Sequence, residues 1–575
     1  MDDDEFPRRA GMPDMTKSMV SGKANPVKFV RARAGKGAVS HYGVRRTRSA
    51  EQAYDTSGTE ARRQQASMHK AKSLPESQIF SLPSSSFNAS SWVSSGVAPP
   101  LAGRNVAGIG QGYSGRTIEP KRTALIMPGQ GSQYITMAQD LYQAYPAARG
   151  IWEEAEDAIT SFIEGKEVRG MPDSPMRAAF EDVLRQGQSL NAAVTPRGIK
   201  YEPGWLRKAV FQGSQLDLTR SEMAMPAILT ATLSFLSVLR HELGMDVVRD
   251  HVQWAAGHGS GVYAALVSTG SLSKFDAWRA VRYRGLAAMK CLQDHPVLFP
   301  SGSQRPANLY ETWAFANMSF GKGRALQVDE DGNPKPVHEN TWRGTQISAV
   351  VLRYGQLQNA LEEVKAVQAD IQQGAVPGIS PEEFVATSNI NSEVQIVVAG
   401  TIVGVNYACD RLRYKGYGAR AVNVPVSGPY HTSFVHSATE QYSDVIKYLP
   451  IELPSDHMRV VSSVDGSILT SEEAIRHDLS VALSEPVRWL DTINTLVQQG
   501  VQRFVCLGPG RAIAQQLSKE LALRERAQRR KNPGQQQTAG TLDDEPSPFE
   551  VWSVTTAEGV AQLVTALQKV PPTSP

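Results

Sequence analysis

The order of apolar and polar positions separates an unpatterned leader from a patterned body. Residues 1 to 120 have no periodic apolar positions and are rich in Ser, Gly, Arg and Ala, a composition typical of disordered or removable segments. Ordered structure is predicted from "KRTALIMPGQGSQ" onward, because the apolar run 124–127 stops at Pro128-Gly129 as a buried parallel strand does. Helical periodicity follows at 151–162 and 226–239.

Further along, strands and helices alternate, and one unit has a different order. "HVQWAA" predicts a strand, a Gly-rich turn follows, and "FDAWRAVRYRGLAAMK" predicts a helix. Over 345–424 the order is strand, helix, strand, strand, helix, strand, which is ferredoxin-like. Alternation returns over 425–575, interrupted by a charged linker that starts at "RERAQRRK".

The predicted fold class is therefore α/β, with a parallel-sheet body and an inserted ferredoxin-like (βαββαβ) subdomain. The predicted parts are a disordered leader over 1–120, a first body segment over 121–344, the subdomain over 345–424 and a second body segment over 425–575. Two polar stretches rich in turn residues, 165–203 and 296–344, are predicted to be insertions in the body.

Composition and cysteine usage narrow the class of protein. The chain has 575 residues and is 41% hydrophobic, which suits a globular protein of two or three domains. Its most apolar stretch, "AILTATLSFLSVL", is shorter than the roughly 18 residues that span a bilayer, so we predict a buried helix and no membrane partner. Cys291, Cys409 and Cys506 are too far apart in sequence for a disulfide framework or metal cluster, which indicates core thiols in a reducing compartment.

Charge is unevenly distributed. Residues 1–122 hold 19 Lys and Arg against 10 Asp and Glu, a net +9, and the remainder holds 41 against 47, a net −6. A basic leader is no sign of a nucleic-acid-binding domain, so none is predicted. Residues 19–50 are basic without a single acid, as in a mitochondrial transit peptide, although "MDDDEF" at the start is acidic. Mitochondrial targeting is the first expectation, and a cytoplasmic protein with a basic tail is the alternative.

Four short segments carry the candidate chemistry: "PGQGSQ" (128–133), "GHGSGVYAAL" (257–266), "VRYRG" (281–285) and "VSGPYHTSF" (426–434). With "NINSEVQIVVAG", "PVRW" and "LGPG", they resemble, in order and spacing, the malonyl-CoA:acyl-carrier-protein transacylase family. The family fold is an α/β-hydrolase-like body with an inserted ferredoxin-like subdomain. The resemblance covers most of residues 121–575 outside the two insertions.

The resemblance implies ping-pong acyl transfer, in which a serine takes an acyl group from coenzyme A and yields it to acyl carrier protein. His431 matches the base that activates the serine. Gln130 and Ser260 match the oxyanion donors, which act through their backbone N–H groups. Arg284 matches the arginine that pairs with the malonyl carboxylate, and Asn391 a polar residue near the site. The implied partners are malonyl-CoA or another acyl-CoA, and acyl carrier protein; no cofactor and no metal are expected.

Structural interpretations of the same residues stay open. Arg284 lies in an arginine-rich helix and could face solvent, and His431 could survive only for packing. His258 is interpreted as structural, hydrogen-bonded within the Gly-rich turn.

Three positions depart from the family pattern. Gly259 stands where the family has its nucleophilic serine, Val262 replaces a glutamate, and Met225 replaces a glutamine. Ser260 is one residue past the apex of the turn, so its side chain is predicted to point elsewhere and not to replace the nucleophile. Glycine accepts the backbone that a nucleophile elbow imposes, so the fold survives while the hydroxyl is lost.

These departures leave three functions open. The first is an active malonyl transferase of fatty-acid synthesis, which Gly259 opposes. The second is a non-catalytic protein that keeps the cleft for acyl-CoA or carrier protein. The third is thioester hydrolysis by a water that His431 activates. We predict a transacylase-family protein impaired in ordinary acyl transfer, with the binding or scaffold protein as the alternative.

Overall fold

The computed structural model describes residues 121–164, 174–195, 201–299, 343–531 and 547–569, apart from positions 243, 245 and 456. The predicted leader over 1–120 lies outside the described residues, as do the parts of the two predicted insertions that fall in the gaps.

A five-stranded parallel sheet forms the centre of the body, with strand order β7-β2-β1-β8-β9. All five residues of the central strand are buried, which explains its continuous apolar run. The strands are β1 (Thr123–Met127), β2 (Trp254–Gly257), β7 (Arg459–Val461), β8 (Arg503–Leu507) and β9 (Glu550–Val554).

Nine helices precede the second sheet within the described part of the chain. They are α1 (Gln139–Ala144), α2 (Pro146–Glu164), α3 (Pro175–Val194), α4 (Trp205–Phe211), α5 (Gln215–Leu218), α6 (Ser221–His241), α7 (Val247–His251), α8 (Val262–Ser268) and α9 (Lys274–Asp294). The last of these carries the candidate arginine. It packs against α6 at Gly285, where a Cβ atom would lie 2.5 Å from Glu222 Cα, so the two helices approach at backbone distance.

Helix α3 lies inside the stretch 165–203, which the sequence predicts to be a polar insertion. Ser174 caps its first turn by accepting a hydrogen bond from the Arg177 N–H, and Pro175 occupies the first helical position. Arg177 also reaches Asp276 of α9 at 2.6 Å within the protein. The stretch thus contains a helix packed against the arginine-bearing helix, which the sequence analysis did not predict.

A four-stranded antiparallel sheet follows, with strand order β4-β5-β3-β6. Its elements run in the predicted βαββαβ order, and the predicted α/β fold class is confirmed. Its own apolar cluster includes Val364, Val385 and Ile396. The elements are β3 (Thr345–Leu352), α10 (Leu357–Gln372), β4 (Val385–Ser392), β5 (Gln395–Thr401), α11 (Ile402–Tyr414) and β6 (Gly418–Asn423).

The chain then completes the body with α12 (His436–Tyr448), α13 (Glu472–Val481), α14 (Trp489–Gln498), α15 (Ala512–Lys531) and α16 (Ala557–Leu567). The predicted charged linker starts inside α15, which is a correction. Arg524 pairs with Glu520 one turn earlier at 2.8 Å, and Arg, Gln and Ala have high helix propensity, so the charged run continues the helix.

Helix α6 is the one described helix that is long and apolar enough to cross a membrane. Its 21 residues have a mean hydropathy of 1.5 over the best 18-residue window, and 83% of that window is buried within the protein. A helix that is apolar on all sides and buried belongs to the core, as the sequence predicts.

The three cysteines are free. Cys291 and Cys506 are buried as predicted, while Cys409 is only partly covered. Among the described residues no cluster of His, Cys, Asp or Glu has the composition of a metal site.

Candidate active site

The Gly-rich turn joins β2 to α8 and packs directly against the opening loop that follows β1. The His258 N–H donates to Met127 O at 3.0 Å, and a Cβ atom at Gly129 would lie 2.0 Å from His258 O. Two backbone segments at this distance leave no room for a side chain between them. The glycines of "PGQG" and "GHGSG" therefore bring the predicted opening loop and the predicted elbow together.

Gly259 occupies the apex of this turn with φ +53°, a left-handed conformation that favours glycine. A Cβ atom at this position would lie 3.0 Å from His431 Nε2 and 3.2 Å from His431 Cε1. The two predicted catalytic positions are thus adjacent, and a side chain at 259 would point at the imidazole. Because residue 259 is glycine, it places no side-chain oxygen at the apex.

His431 is held in a strained backbone conformation with φ +61°, and its N–H donates to Leu483 O at 2.7 Å. Such conformations persist only where the surroundings fix them, and they are concentrated at functional sites. Burial of the ring, together with the positive charge of the neighbouring Arg284 and the proximity of His258, lowers the pKa of His431 to about 3. The imidazole is therefore a neutral base throughout the physiological pH range.

The Ser260 hydroxyl points to the opening loop. Its Oγ accepts a hydrogen bond from the Gln130 N–H at 3.2 Å. The predicted oxyanion pair is thus brought together, but the Gln130 amide is engaged by a side chain of its predicted partner. This contact supports the prediction that Ser260 does not stand in for the missing nucleophile.

Arg284 lies in the interior and is 1% exposed, so the alternative that it faces solvent is wrong. Its Nη2 donates to the carbonyl oxygen of Ala482 at 3.2 Å. Its Nε and Nη1 are buried and have no hydrogen-bond partner among the described residues. A buried guanidinium with two unused donors is costly unless an anion completes it.

Three further side chains lie close to the arginine. Its guanidinium carbon is 5.9 Å from the centre of the Tyr263 ring, and the Tyr263 hydroxyl is hydrogen-bonded to that of Tyr442. Asp478 is 3% exposed and accepts a hydrogen bond from Ser462. Burial raises the pKa of Asp478 to about 6, against the opposing influence of the Ser462 hydrogen bond and of Arg284.

His258 links the body to the second sheet. Burial lowers its pKa, so the ring is neutral, and its Nε2 is 3.0 Å from Asn391 Oδ1. The ring also makes an edge contact with Trp489, with centroids 5.3 Å apart. The structural interpretation of His258 fits these contacts. Its side-chain partner is Asn391 of β4, and its ring also forms a hydrogen bond with its own backbone in the turn, as predicted.

Comparisons with known proteins also indicate an acyl transferase. The family model described as acyl transferase domain matches residues 124–294. The malonyl CoA-acyl carrier protein transacylase of Bacillus subtilis (strain 168) is 24% identical over 394 residues, covering 68% of this chain and 88% of that protein. The corresponding protein of Staphylococcus aureus (strain MRSA252) is also 24% identical, over 393 residues, covering 68% and 90%.

Solved structures agree in fold. The crystal structure of the transacylase of Xanthomonas oryzae pv. oryzae has a TM-score of 0.50 at 21% identity and covers 78% of this chain and 99% of that chain. A malonyl-transacylase in complex with its type II acyl-carrier protein also has a TM-score of 0.50, at 22% identity, and covers 77% and 99%.

The chain contains an acyl transferase domain over residues 124–294, and two thirds of its length is similar to malonyl-CoA:acyl-carrier-protein transacylases.

Several features of the site were not predicted from the sequence. Arg284 donates to the backbone carbonyl of Ala482, and a backbone acceptor cannot be recognised from the type of side chain. Asp478 sits in an ordinary amphipathic helix, where an acidic residue is expected to face solvent. Tyr263 was visible as the aromatic in "GVYAAL", but its pairing with Tyr442 joins residues 179 positions apart.

The two positions at which the sequence departs from the family pattern by an apolar residue are buried. Met225 is 3% exposed and Val262 is 1% exposed. Neither side chain can donate or accept a strong hydrogen bond. Both positions therefore present apolar side chains to the interior where the family pattern has polar ones.

Proposed function

We propose that this protein binds malonyl-CoA, or another acyl-CoA, in the cleft between the Gly-rich turn and Arg284, and that it forms no acyl-serine there. Acyl carrier protein is the proposed macromolecular partner. The role would lie in fatty-acid synthesis, the setting of the family. Ordinary ping-pong transfer is impaired because the residue that faces His431 has no hydroxyl.

The observation that carries this proposal is the 3.0 Å distance between a Cβ atom built at Gly259 and His431 Nε2. Ping-pong transfer breaks the thioester C–S bond and forms a C–O bond to the enzyme, while the base takes the hydroxyl proton. A base faces the apex of this turn, yet glycine supplies neither an oxygen nor a proton. No covalent intermediate can form at that position.

Retention of ligand binding is supported by Arg284. Its buried Nε and Nη1 lack partners among the described residues, and a guanidinium with unused N–H donors forms charge-assisted hydrogen bonds with a carboxylate. A malonyl group supplies such a carboxylate and an acetyl group does not. The side chain therefore favours malonyl thioesters as ligands.

Hydrolysis is the second candidate, favoured by the neutral imidazole of His431 beside a position without a side chain. A water there would give its proton to Nε2 as its oxygen attacked the thioester carbon, and the products would be malonate and coenzyme A. This candidate makes a distinct prediction, which is steady release of free thiol.

The test mixes purified wild-type protein with malonyl-CoA and follows three readouts. Calorimetry measures binding, intact mass spectrometry detects a malonyl adduct, and a thiol reagent detects free coenzyme A. We expect saturable binding, no adduct and no thiol release above a protein-free control. An adduct mapped to Ser260 would overturn the proposal, as would absence of binding; thiol release without an adduct would establish hydrolysis.

We also propose import into mitochondria, based on the acid-free basic stretch over residues 19–50. A fluorescent protein fused behind residues 1–120 is expected to colocalise with mitochondria. A matched fusion with Arg31→Glu and Arg33→Glu should stay in the cytosol. Cytosolic fluorescence from both fusions would contradict mitochondrial import.

A further inference from the structure

The oxyanion side of the cleft carries a contact that the missing nucleophile does not explain. Acyl transfer needs backbone N–H groups directed at the oxygen that becomes negative in the tetrahedral intermediate. In this chain the N–H of Gln130, one of the two donors that the family resemblance assigns, already donates to Ser260 Oγ at 3.2 Å. A substrate oxygen and this hydroxyl compete for the same hydrogen.

The neighbouring amides of the opening loop are also engaged. The Gly131 N–H donates to Gln133 Oε1 at 2.7 Å, and the Ser132 N–H donates to Gly129 O at 3.3 Å. Gln130, Gly131 and Ser132 therefore direct their three amides at acceptors of the protein itself. A substrate oxygen gains a donor from this loop only by displacing one of them.

The loop is fixed, whereas the hydroxyl can move. The Gln130 side chain is anchored through its Nε2, which donates to Ser221 Oγ at 2.9 Å, and Ser221 in turn contacts the buried Ser427 and Tyr430. Rotation of the Gln130 peptide would break that anchor. Ser260 is half-buried, and one rotation about its Cα–Cβ bond withdraws the hydroxyl.

We infer that Ser260 is a second, independent block to acyl transfer, because its hydroxyl occupies the Gln130 donor that the intermediate would need. This inference rests on the proposed function, since it concerns the same cleft and the same thioester. It differs from the loss at Gly259 in kind: one position lacks a reacting atom, and the other carries an atom that competes with the substrate.

Restoring the nucleophile makes the block measurable. In Gly259→Ser the new hydroxyl gives its proton to His431 Nε2 while its oxygen bonds to the thioester carbon. The C–S bond then breaks, and the departing thiolate takes the proton from His431. Removal of the Ser260 side chain keeps the backbone N–H of residue 260, the other assigned oxyanion donor, and changes only the hydroxyl that occupies the Gln130 donor.

The experiment compares Gly259→Ser with Gly259→Ser/Ser260→Ala, using the rate of malonyl adduct formation at saturating malonyl-CoA and the dissociation constant from calorimetry. Loss of one oxyanion donor costs on the order of 100- to 1000-fold in rate, and a displaceable neutral hydrogen bond costs less. We therefore expect the double variant to react about 10-fold faster or more, with an unchanged dissociation constant.

Two matched variants separate the hydroxyl from a general change in the turn. Gly259→Ser/Ser260→Thr keeps a hydroxyl and should remain as slow as Gly259→Ser. Gly259→Ser/Ser268→Ala removes a half-buried serine hydroxyl at the other end of α8, where it donates to Ala265 O at 2.7 Å, and should leave the rate unchanged.

The inference is overturned if the Ser260→Ala double variant reacts no faster than Gly259→Ser, including the case in which neither reacts. It is also overturned if the gain appears as tighter binding instead of a faster step. These outcomes are distinct from failure of the proposed function, which would show in the wild-type protein as an adduct or as absence of binding.

Discussion

The apex of the Gly-rich turn and the arginine end of the same cleft differ in what they retain. At the apex, Gly259 has no reactive oxygen. At the arginine end, Arg284 is buried, has two unused donors, and lies over a hydrogen-bonded tyrosine pair. An unpaired buried guanidinium destabilises a fold, and under the proposed function a bound anion offsets that cost.

The comparison also separates two kinds of change. A glycine at the apex costs the fold nothing, because the turn has a left-handed backbone conformation there. The arginine end is stabilised only when a ligand supplies the missing charge. Under the proposed function, acyl transfer depends on residue 259 and carboxylate binding on Arg284. The two properties can therefore be changed by separate substitutions.

The largest expected effect is the gain of a covalent intermediate in Gly259→Ser. The new side chain points at a neutral imidazole, so we expect a malonyl adduct that the wild-type protein lacks, formed on the order of 1000-fold faster than any background acylation. Intact mass spectrometry with peptide mapping checks the site. The control Gly259→Ser/His431→Ala should lose the adduct; a persistent adduct would mean that His431 is not the base.

The second effect concerns the arginine end. Arg284→Met keeps the volume and removes both unused donors, so malonyl-CoA should bind about 10- to 100-fold more weakly, the loss expected for charge-assisted hydrogen bonds. Acetyl-CoA, which lacks the carboxylate, serves as the matched ligand and should bind nearly as before. Equal weakening of both ligands would indicate that Arg284 shapes the cleft without pairing with a carboxylate.

A smaller effect is expected for the stability of the fold around the arginine. Burial raises the pKa of Asp478 to about 6, above its usual 3.8. A raised carboxyl pKa favours the folded state most below pH 3.8, and this contribution is lost as the pH rises through about 6. Asp478→Asn should therefore raise the free energy of unfolding by about 1–3 kcal/mol at pH 8, measured in urea, and change little at pH 3.5.

Asp465→Asn is the matched control for that measurement. Burial of Asp465 is outweighed by hydrogen bonds from Ser467, which lower the pKa of its carboxyl. The sign is therefore opposite, and this variant should lose stability at pH 8. Stabilisation by both variants would point to general charge repulsion and not to the burial of Asp478.

The smallest expected effect is an absence of pH dependence. Because burial lowers the pKa of His431 to about 3, the adduct rate of Gly259→Ser at saturating malonyl-CoA should be flat between pH 5 and 8. Single-turnover rates across that range are the measurement. A sigmoid centred near 6.5, the ordinary histidine value, would show that the ring is solvated in the complex.

Much of this architecture could be predicted from residue order. The βαββαβ unit follows from the change between helical and strand periodicity, and the elbow follows from glycines spaced around one turn. Helix α3 was missed although Ser174-Pro175 is a recognisable helix start, because the polar residues along the stretch obscured its buried face. The extension of α15 was missed because a charged run resembles a linker until its i,i+4 pairs are considered.

In the site, residue types were predictable and pairings were not. The positions of His431 and Arg284 follow from local motifs. The bond between His258 and Asn391 joins residues 133 positions apart, and Ser260 reaches Gln130 across 130 positions. Such contacts depend on how two sheets and a loop meet in space, which periodicity does not encode.

The apolar surface of helix α6 has a consequence for the newly made chain before it folds. Its 21 residues are long and apolar enough to cross a bilayer, and its neighbours in the fold cover most of that surface. A newly made chain exposes the segment in full until those neighbours dock, so hydrophobicity alone does not distinguish it from a true membrane anchor. If the unfolded chain crosses a membrane, this segment stays out of the bilayer only when a chaperone binds it or when the chain crosses faster than the segment partitions into lipid.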